Sequence, residues 1–486
     1  MKRSLVTLFA ASLACNTSTL ELPDASTPIQ ITAQPLVTIT PGGTATVDLA
    51  ITAGDDGPAT IDIGPLPTGL TSESVAWTGA SSVSLQLTAS SDAPVSETIT
   101  NVNATVKGAS IGSTTITIDV SSLDGALDPT FGQGGAWTLP LNESARPASI
   151  ALVANGAWLV GGTREDDDGS PSVLLARVIA TGALDASYGQ NGFLAEGALP
   201  GDEDAADVDG SGNVAVLVAT TTGTYAATVD PSGNAGTQST TLDGGCEWIA
   251  WDGAGGAFVT GNVAELVHLD ASLSQTDLEF VTGNAAAGLL VNAGDAYVPT
   301  LSEGVTNETL FRWSPTSPGV YAIDPTFAFG EGTQIALDET PTNAMAVDSQ
   351  GRVLVAVEAE AIAITRVLAN GVVDESFGTG GTLLIDPREI NTPIAPIALF
   401  PQSDGKVIVA AEIESAAGGI VLTRFTDDGV DTTFGTYGIT RALFDVPTTT
   451  VAAAYDATNE RLCTVNDTST QSIVTSTSLI CFHVTP

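Results

Sequence analysis

Positive charge is almost missing from this chain. Fourteen lysines and arginines stand against 56 aspartates and glutamates, a formal net charge of −42 over 486 residues. A surface so acidic repels phosphate backbones, and no basic patch offers a local exception, so nucleic acid is excluded as a partner. Histidine is nearly absent too: His268 and His483 each fall in or at the end of an expected strand and read as packing residues. No H-E-x-x-H pair or Cys-x-x-Cys pair occurs, so the common zinc signatures are lacking. The tryptophans are scattered and form no stacking platform for sugars. No stretch sustains helical periodicity. Apolar content of 43 % is nonetheless ample for a β core and speaks against disorder.

What is present is a repeat built on aspartate. Clear copies are Leu127-Asp128-Pro129-Thr130-Phe131-Gly132, Leu184-Asp185-Ala186-Ser187-Tyr188-Gly189, Val373-Asp374-Glu375-Ser376-Phe377-Gly378 and Val430-Asp431-Thr432-Thr433-Phe434-Gly435. Weaker copies begin at Asp324 (with Phe327), Asp270 and Asp230. Successive aspartates lie 57, 45, 40, 54, 50 and 57 residues apart. A period of that size marks one supersecondary unit per repeat, unable to bury its apolar face without neighbours. In phase with it run tight-turn signals before apolar strands, such as Asn155-Gly156 before Trp158-Leu159-Val160 and Asp404-Gly405 before Val407-Ile408-Val409.

Each unit holds about four strands, the composition of a propeller blade, and the turn markers count seven. The expected fold is therefore all-β: a seven-bladed β-propeller over 123–486. The last unit stops one strand short. The strand from Gly134 to Leu141 precedes any blade of its own, so the two are expected to join and close the ring. Cys463 and Cys481 would then lie on adjacent strands of the closing blade, within bridging reach, and Cys246 would be a buried free thiol. An aspartate opening a loop accepts backbone N–H two residues on. The aromatic three residues later would pack between blades. Asp128, Phe131, Asp185, Tyr188, Asp324, Phe327, Asp374, Phe377, Asp431 and Phe434 are thus read as structural.

Gly125 to Gly135, Gly182 to Gly192 and Gly371 to Gly381 resemble the delta-60 repeat, a bacterial propeller-type repeat of pattern G-x-L-D-x-[ST]-F-G-x-x-G. The resemblance runs from about Gly125 to the C-terminus. It implies an arginine on the strand before the motif, and Arg177, Arg366 and Arg424 stand eight, eight and seven residues before their aspartates. It carries no catalytic signature.

Ahead of the repeats, Lys2 and Arg3 precede an apolar run, Leu5 to Leu13, too short to remain as a membrane span. Ser12-Leu13-Ala14-Cys15 resembles a bacterial lipoprotein signal. That gives a signal peptide over 1–14, a lipidated tether over 15–27 starting at Cys15, and attachment to the outer membrane on its periplasmic or outer side. Cleavage by an ordinary signal peptidase is the alternative. From 28 to 122, short alternating runs such as Ala45-Thr46-Val47-Asp48-Leu49-Ala50-Ile51 read as an immunoglobulin-like sandwich without its disulfide.

Function is less legible. The leading expectation is a non-enzymatic, lipid-anchored scaffold with no cofactor, binding a protein or glycan. A propeller-type lyase or glycosidase, with carboxylates at the axial channel, and a purely structural envelope protein are the alternatives. Turn markers and aspartate motifs should share one face of the ring. The irregular acidic loops holding Asp166, Asp167, Asp202 and Asp204 should lie on the other, as candidates for a cationic partner or weak divalent-cation binding. Asp207 to Asn213 has the opening of a calcium loop but Val218 where a bidentate glutamate is needed, and reads as a hairpin turn.

Overall fold

The computed structural model describes residues 30–485 apart from 53–57, 91–92, 95, 107–108, 121–123, 141–144, 167–168, 210, 243–244, 262–264, 281–284, 287, 302–306, 337–343, 359–361, 386–393, 416–417, 445 and 470–474. Cys15, the segment around it and Asp167 lie outside them. Among the described residues there is no α-helix, and none long and apolar enough to cross a membrane.

Two sheets form the first unit. One orders its strands Gln30–Ala33, Thr44–Thr52, Ser82–Ala89, Leu70–Ser72; the other runs Leu36–Ile39, Ala109–Val120, Ser96–Val106, Ala59–Ile63, Val75–Trp77. Alternation decides the faces. In Thr44–Thr52, Val47, Leu49 and Ile51 are buried while Thr46, Asp48 and Ala50 are exposed. Period-two patterning gives each sheet one wet and one dry face, and the dry faces meet in a single core around Leu85, Leu87, Ile116 and Trp77. Each large aliphatic side chain buried there contributes roughly 1.5–3 kcal/mol.

The remaining seven sheets share a different logic. Sheet one comprises Ala145–Val153, Ala157–Glu165, Pro171–Ile179 and Ala183–Leu184, consecutive and antiparallel. Sheets two to six follow the same plan, starting at Asp202, Cys246, Ala285, Met345 and Ile394; sheet four adds Leu290–Asn292, on its inner side, and Thr333–Ala336, and sheet six adds Ile439–Leu443. In sheet seven, Thr448–Asp456, Arg461–Ser469 and Thr475–His483 take their fourth strand from Ala136–Thr138, with Ala136 opposite Ile480. Second strands such as Val214–Thr220 and Val407–Ile413 are apolar on both faces. A sheet flanked on either side by another has no solvent face, so these strands read as continuous runs rather than alternations.

Packing closes the ring. Hydrophobic clusters join sheets seven and one (Trp158 with Cys463), one and two (Leu159 with Val216), and two and three (Leu217 with Val259). Others join three and four (Phe258 with Trp313), four and five (Tyr297 with Val355), five and six (Leu354 with Val409), and six and seven (Ile408 with Phe482). The first strands also touch one another in the same cyclic order, so they form the inner wall. The layout is that of a β-propeller.

The sandwich rests against sheets six and seven. Thr436 donates its hydroxyl to Asp119, and Arg441 pairs with Glu97. Desolvation pushes Asp119 up to about 6, with the Thr436 hydroxyl opposing. A cavity of about 480 Å³ separates Ile39–Thr44 of the sandwich from Ala126–Thr130 of the ring.

Candidate functional site

The repeated aspartates build one unit five times. In each, the hydroxyl and N–H two residues on donate to Oδ1: Thr130 to Asp128, Ser187 to Asp185, Thr326 to Asp324, Ser376 to Asp374 and Thr433 to Asp431. That requirement explains the Ser/Thr at this position of the repeat. Oδ2 receives Nε of an arginine: Arg461 at 2.6 Å, Arg177, Arg366 and Arg424 at 2.8 Å, and Arg312 at 2.9 Å, in the same order of motifs except that Arg312 serves Asp324. Each guanidinium lies over the motif's aromatic ring, Phe131, Tyr188, Phe327, Phe377 or Phe434, at 4.3–5.4 Å from the centroid.

The guanidinium's remaining arm crosses to the next sheet. It donates to a group on the turn after that sheet's third strand, Ala180 O, Pro231 O, Ala369 O or Asp427, or just past the third strand of sheet seven to Thr485 O, where Asp124 from the segment entering the ring joins it. One side chain therefore ties motif, aromatic and neighbouring sheet together. At Asp324 desolvation favours the neutral acid, yet the Thr326 hydroxyl and N–H and the Arg312 guanidinium outweigh it and hold the carboxyl near 2. Asp128, Asp185, Asp374 and Asp431 are lowered as well. At Asp128 and Asp431 the largest influence is desolvation, which opposes the shift; at Asp185 and Asp374 it is the serine hydroxyl.

Sheet seven solves the problem differently. The carbonyl of Cys481 accepts the Asp128 N–H, in the place held elsewhere by the arginine, and opposite it stands Cys463. The two are disulfide-bonded, and the arginine comes instead from Arg461 on the neighbouring strand. Cys246 is buried and outside any disulfide.

Two junctions lack the unit. Asp230 and Asp270 do not sit in motif loops. They close the hairpins after the third strands of sheets two and three, accepting from the N–H of Ser232 and Asn234, and of Ser272 and Ser274. An Asx-type turn with a serine two residues on mimics the repeat locally, which is why the sequence alone groups them with it. In register, the arginine's place is held by Thr228 in sheet two and His268 in sheet three, because Ala215↔Thr228 and Phe258↔His268 match Leu354↔Arg366 and Ile408↔Arg424. Between sheets two and three, Trp251 covers the gap, donating N–H at 2.9 Å and Nε1–H at 3.1 Å to Asp207.

The junction of sheets three and four stays open. His268 is 4 % exposed, with Nδ1 at 2.8 Å from Thr276 Oγ1 and Nε2 at 2.9 Å from Asp252 Oδ2. Thr276 stands eight residues after His268, the offset at which Asp374 follows Arg366. Asp252 also accepts the N–H groups of Ala254 and Gly256 through Oδ1. Those bonds and His268 outweigh desolvation, and the Asp252 carboxyl falls below its usual range. Phe258 and Tyr321 flank the imidazole, with ring centroids 5.1 and 4.7 Å away. An imidazole is shorter than a guanidinium arm, and above it lies a cavity of about 680 Å³ lined by turns of both sheets. Asn155, Ser211, Gly212 and Asp185 line a smaller cavity of about 280 Å³ between sheets one and two. Turn markers and a motif aspartate thus meet at one end of the ring.

The acidic loops need correction. Asp202 and Asp204 lie within the strand Asp202–Val208, since Asp202 pairs in register with Ala219. Asp202 meets Arg146 at 3.2 Å, and Asp204 is raised to about 6 by desolvation, then by Asp202 and Glu247. Asp166 accepts the Ser172 hydroxyl and lies 3.8 Å from Arg164. The segment holding Asp386 and Glu389 is outside the described residues. Asp209 closes the hairpin turn expected over Asp207 to Asn213, accepting from the N–H groups of Ser211 and Asn213 and from the Asn213 side chain. Among the described residues no three metal-ligating side chains converge. Between Asp202 and Asp204, Glu203 turns inward, accepts from Ser149 and Gly162 N–H, and is raised to about 8 by burial.

The sequence matches no protein-family model and no curated protein. Among solved structures it is similar to YCF48 bound to D1 peptide (12 % identity, TM-score 0.44, 75 % of this chain and all of that one). It is also similar to the Dos1 propeller (8 %, 0.44, 71 % and 81 %) and to a protein of unknown function from Dyadobacter fermentans (11 %, 0.42, 74 % and all).

Proposed function

We propose that this chain is a non-catalytic, lipid-anchored scaffold of the cell envelope: a seven-bladed propeller of delta-60-type repeats on an immunoglobulin-like spacer, held to the outer membrane through Cys15. The observation that carries the reading is how the recurrent polar residues are used. All five motif aspartates are consumed inside sheet junctions by a hydroxyl, a backbone N–H and an arginine. A repeat whose polar groups face its own neighbours makes a rigid support, and rigid supports place binding on their loops. The acidic surface favours a cationic protein partner over a polyanion.

The lyase or glycosidase alternative draws on Glu203, a carboxyl raised to about 8 by burial, on an inner strand. Its oxygens are closed in by Ser149 and Gly162, and a Cβ at Gly161 would stand 2.4 Å from one of them, so a substrate does not reach it. Fractionation tests the anchored reading. Cys15→Ser should move the protein from membranes to the soluble fraction and abolish palmitate labelling; unchanged membrane association would overturn it.

A further inference from the structure

The cleft between sheets three and four stands where other junctions hold an arginine of the chain itself. At those junctions a guanidinium meets three things: a carboxylate, an aromatic face, and the turn after the next sheet's third strand. The cleft keeps all three kinds of group. Its carboxylates are Asp252 and Asp270, its rings are Trp251 and Tyr321, and sheet four supplies the turn around Pro318 and Gly319. Asp270 commits Oδ1 to Ser272 and Ser274, and among the described residues nothing donates to its Oδ2. Among the described residues the cleft holds no guanidinium, and His268 directs both ring nitrogens to Thr276 and Asp252.

We propose that this cleft takes an arginine side chain from a partner polypeptide, which supplies in trans the guanidinium that five junctions carry in cis. Arginine fits better than lysine, since a planar fork serves a carboxylate and a carbonyl at once while stacking on a ring, and an ammonium does not. Around the ring the cleft lies across from sheets six and seven, where the sandwich rests, so the sandwich leaves it clear. The net charge of −42 draws basic segments toward it. The inference deepens the scaffold reading and rests on it for the absence of turnover.

The test uses the full chain and a pentapeptide, acetyl-Gly-Ser-Arg-Ser-Gly-amide, at 0.15 M salt to suppress diffuse attraction. With only two histidines in the chain, imidazole proton resonances separate His268 in the cleft from His483 outside it. Saturable shifts of the His268 signals alone are expected, with the citrulline peptide silent. Asp270→Asn, on a partly exposed turn that tolerates the change, should weaken binding about tenfold, the loss of one charge-assisted hydrogen bond. Asp428→Asn, an equal charge change on an exposed turn of sheet six, should not. His268→Arg should abolish binding by filling the slot from within. The proposal is overturned if the citrulline peptide binds equally, if Asp428→Asn weakens binding as much as Asp270→Asn, or if no signal moves. Cleavage of the peptide would instead sink the scaffold reading while leaving the cleft's binding intact.

Discussion

The junction of sheets six and seven and that of sheets three and four solve the same packing problem with opposite means. At the first, Arg424 is 2 % exposed and reaches Asp431, Asp124, Thr485 O and the Phe434 ring. At the second, the hydrogen bonds of His268 stay within its own sheet, and only its ring meets sheet four, at Tyr321. Apolar clusters hold both junctions, so the arginine is not what makes sheets adhere. What it does is fill the end of the junction that apolar side chains leave open, and give that end one geometry. A ring can omit it where something else caps the gap, as Trp251 does, or where the gap is kept.

The largest expected effect comes from opening the ring at a clamped junction. Deleting Gly134 to Leu141 removes the fourth strand of sheet seven and part of the loop that places Phe131. Calorimetry should show the ring's cooperative transition lost and the sandwich's retained. A ring that melts as before would mean that neighbouring sheets close without that strand.

Next comes the clamp itself. Arg424→Ala takes the guanidinium from Asp431, leaving it Lys406 at 3.6 Å, and from Asp124, and breaking such a buried pair costs about 3–5 kcal/mol. Thr228→Ala, at the matching position of an unclamped junction, should cost no more than about 1.5 kcal/mol, the scale of one neutral hydrogen bond. Equal losses by urea denaturation would erase the distinction between the two kinds of junction.

Acid should sharpen it further. Asp324 is held near 2, below its ordinary 3.8, so its contribution is present above 3.8 and is lost as pH falls through about 2. Asp324→Asn should flatten the stability profile between about pH 4 and 2. Asp270→Asn should change it less, because that carboxylate holds only its own turn.

The last effect has the opposite sign. Glu203 is raised from 4.5 to about 8, so the folded state binds its proton more tightly than the unfolded one. Stability should therefore decline as pH rises from 4.5 to 8, through this group alone. Glu203→Gln can donate to Ser149 Oγ and accept from Gly162 N–H, as the neutral acid does. It should melt higher than wild type at pH 8 and equally at pH 4.5.

How legible all this was depended on sequence distance. Strands, turns and the pairing of Arg177, Arg366 and Arg424 with their aspartates lie within one unit, and the spacing shows them. Arg461 could not be found that way, because it joins Asp128 from the far end of the chain. Arg312 stands twelve residues before Asp324 across a longer hairpin, outside the usual offset. Asp230 and Asp270 misled because a hairpin turn and a motif loop both need a carboxylate with a serine two residues on. His268 was readable as a packing residue, and so it packs. Its register with Arg366 and Arg424 was the missed signal, recoverable only by aligning each third strand on its hairpin turn. Asp202 and Asp204 read as loop because charges flank a buried one, Glu203, and conceal the strand.

The shared seventh sheet also fixes an order in time. Ala136 is made among the first residues of the ring and Ile480, its partner, among the last. At ordinary elongation rates that strand waits on the order of tens of seconds with its edge unpaired. Six sheets can form as they emerge, while the seventh cannot begin its last pairing until Thr475–His483 has been made. A circular permutant that moved residues 123–141 behind Thr485 would make the seventh sheet local in sequence, and should refold faster without gaining a single contact.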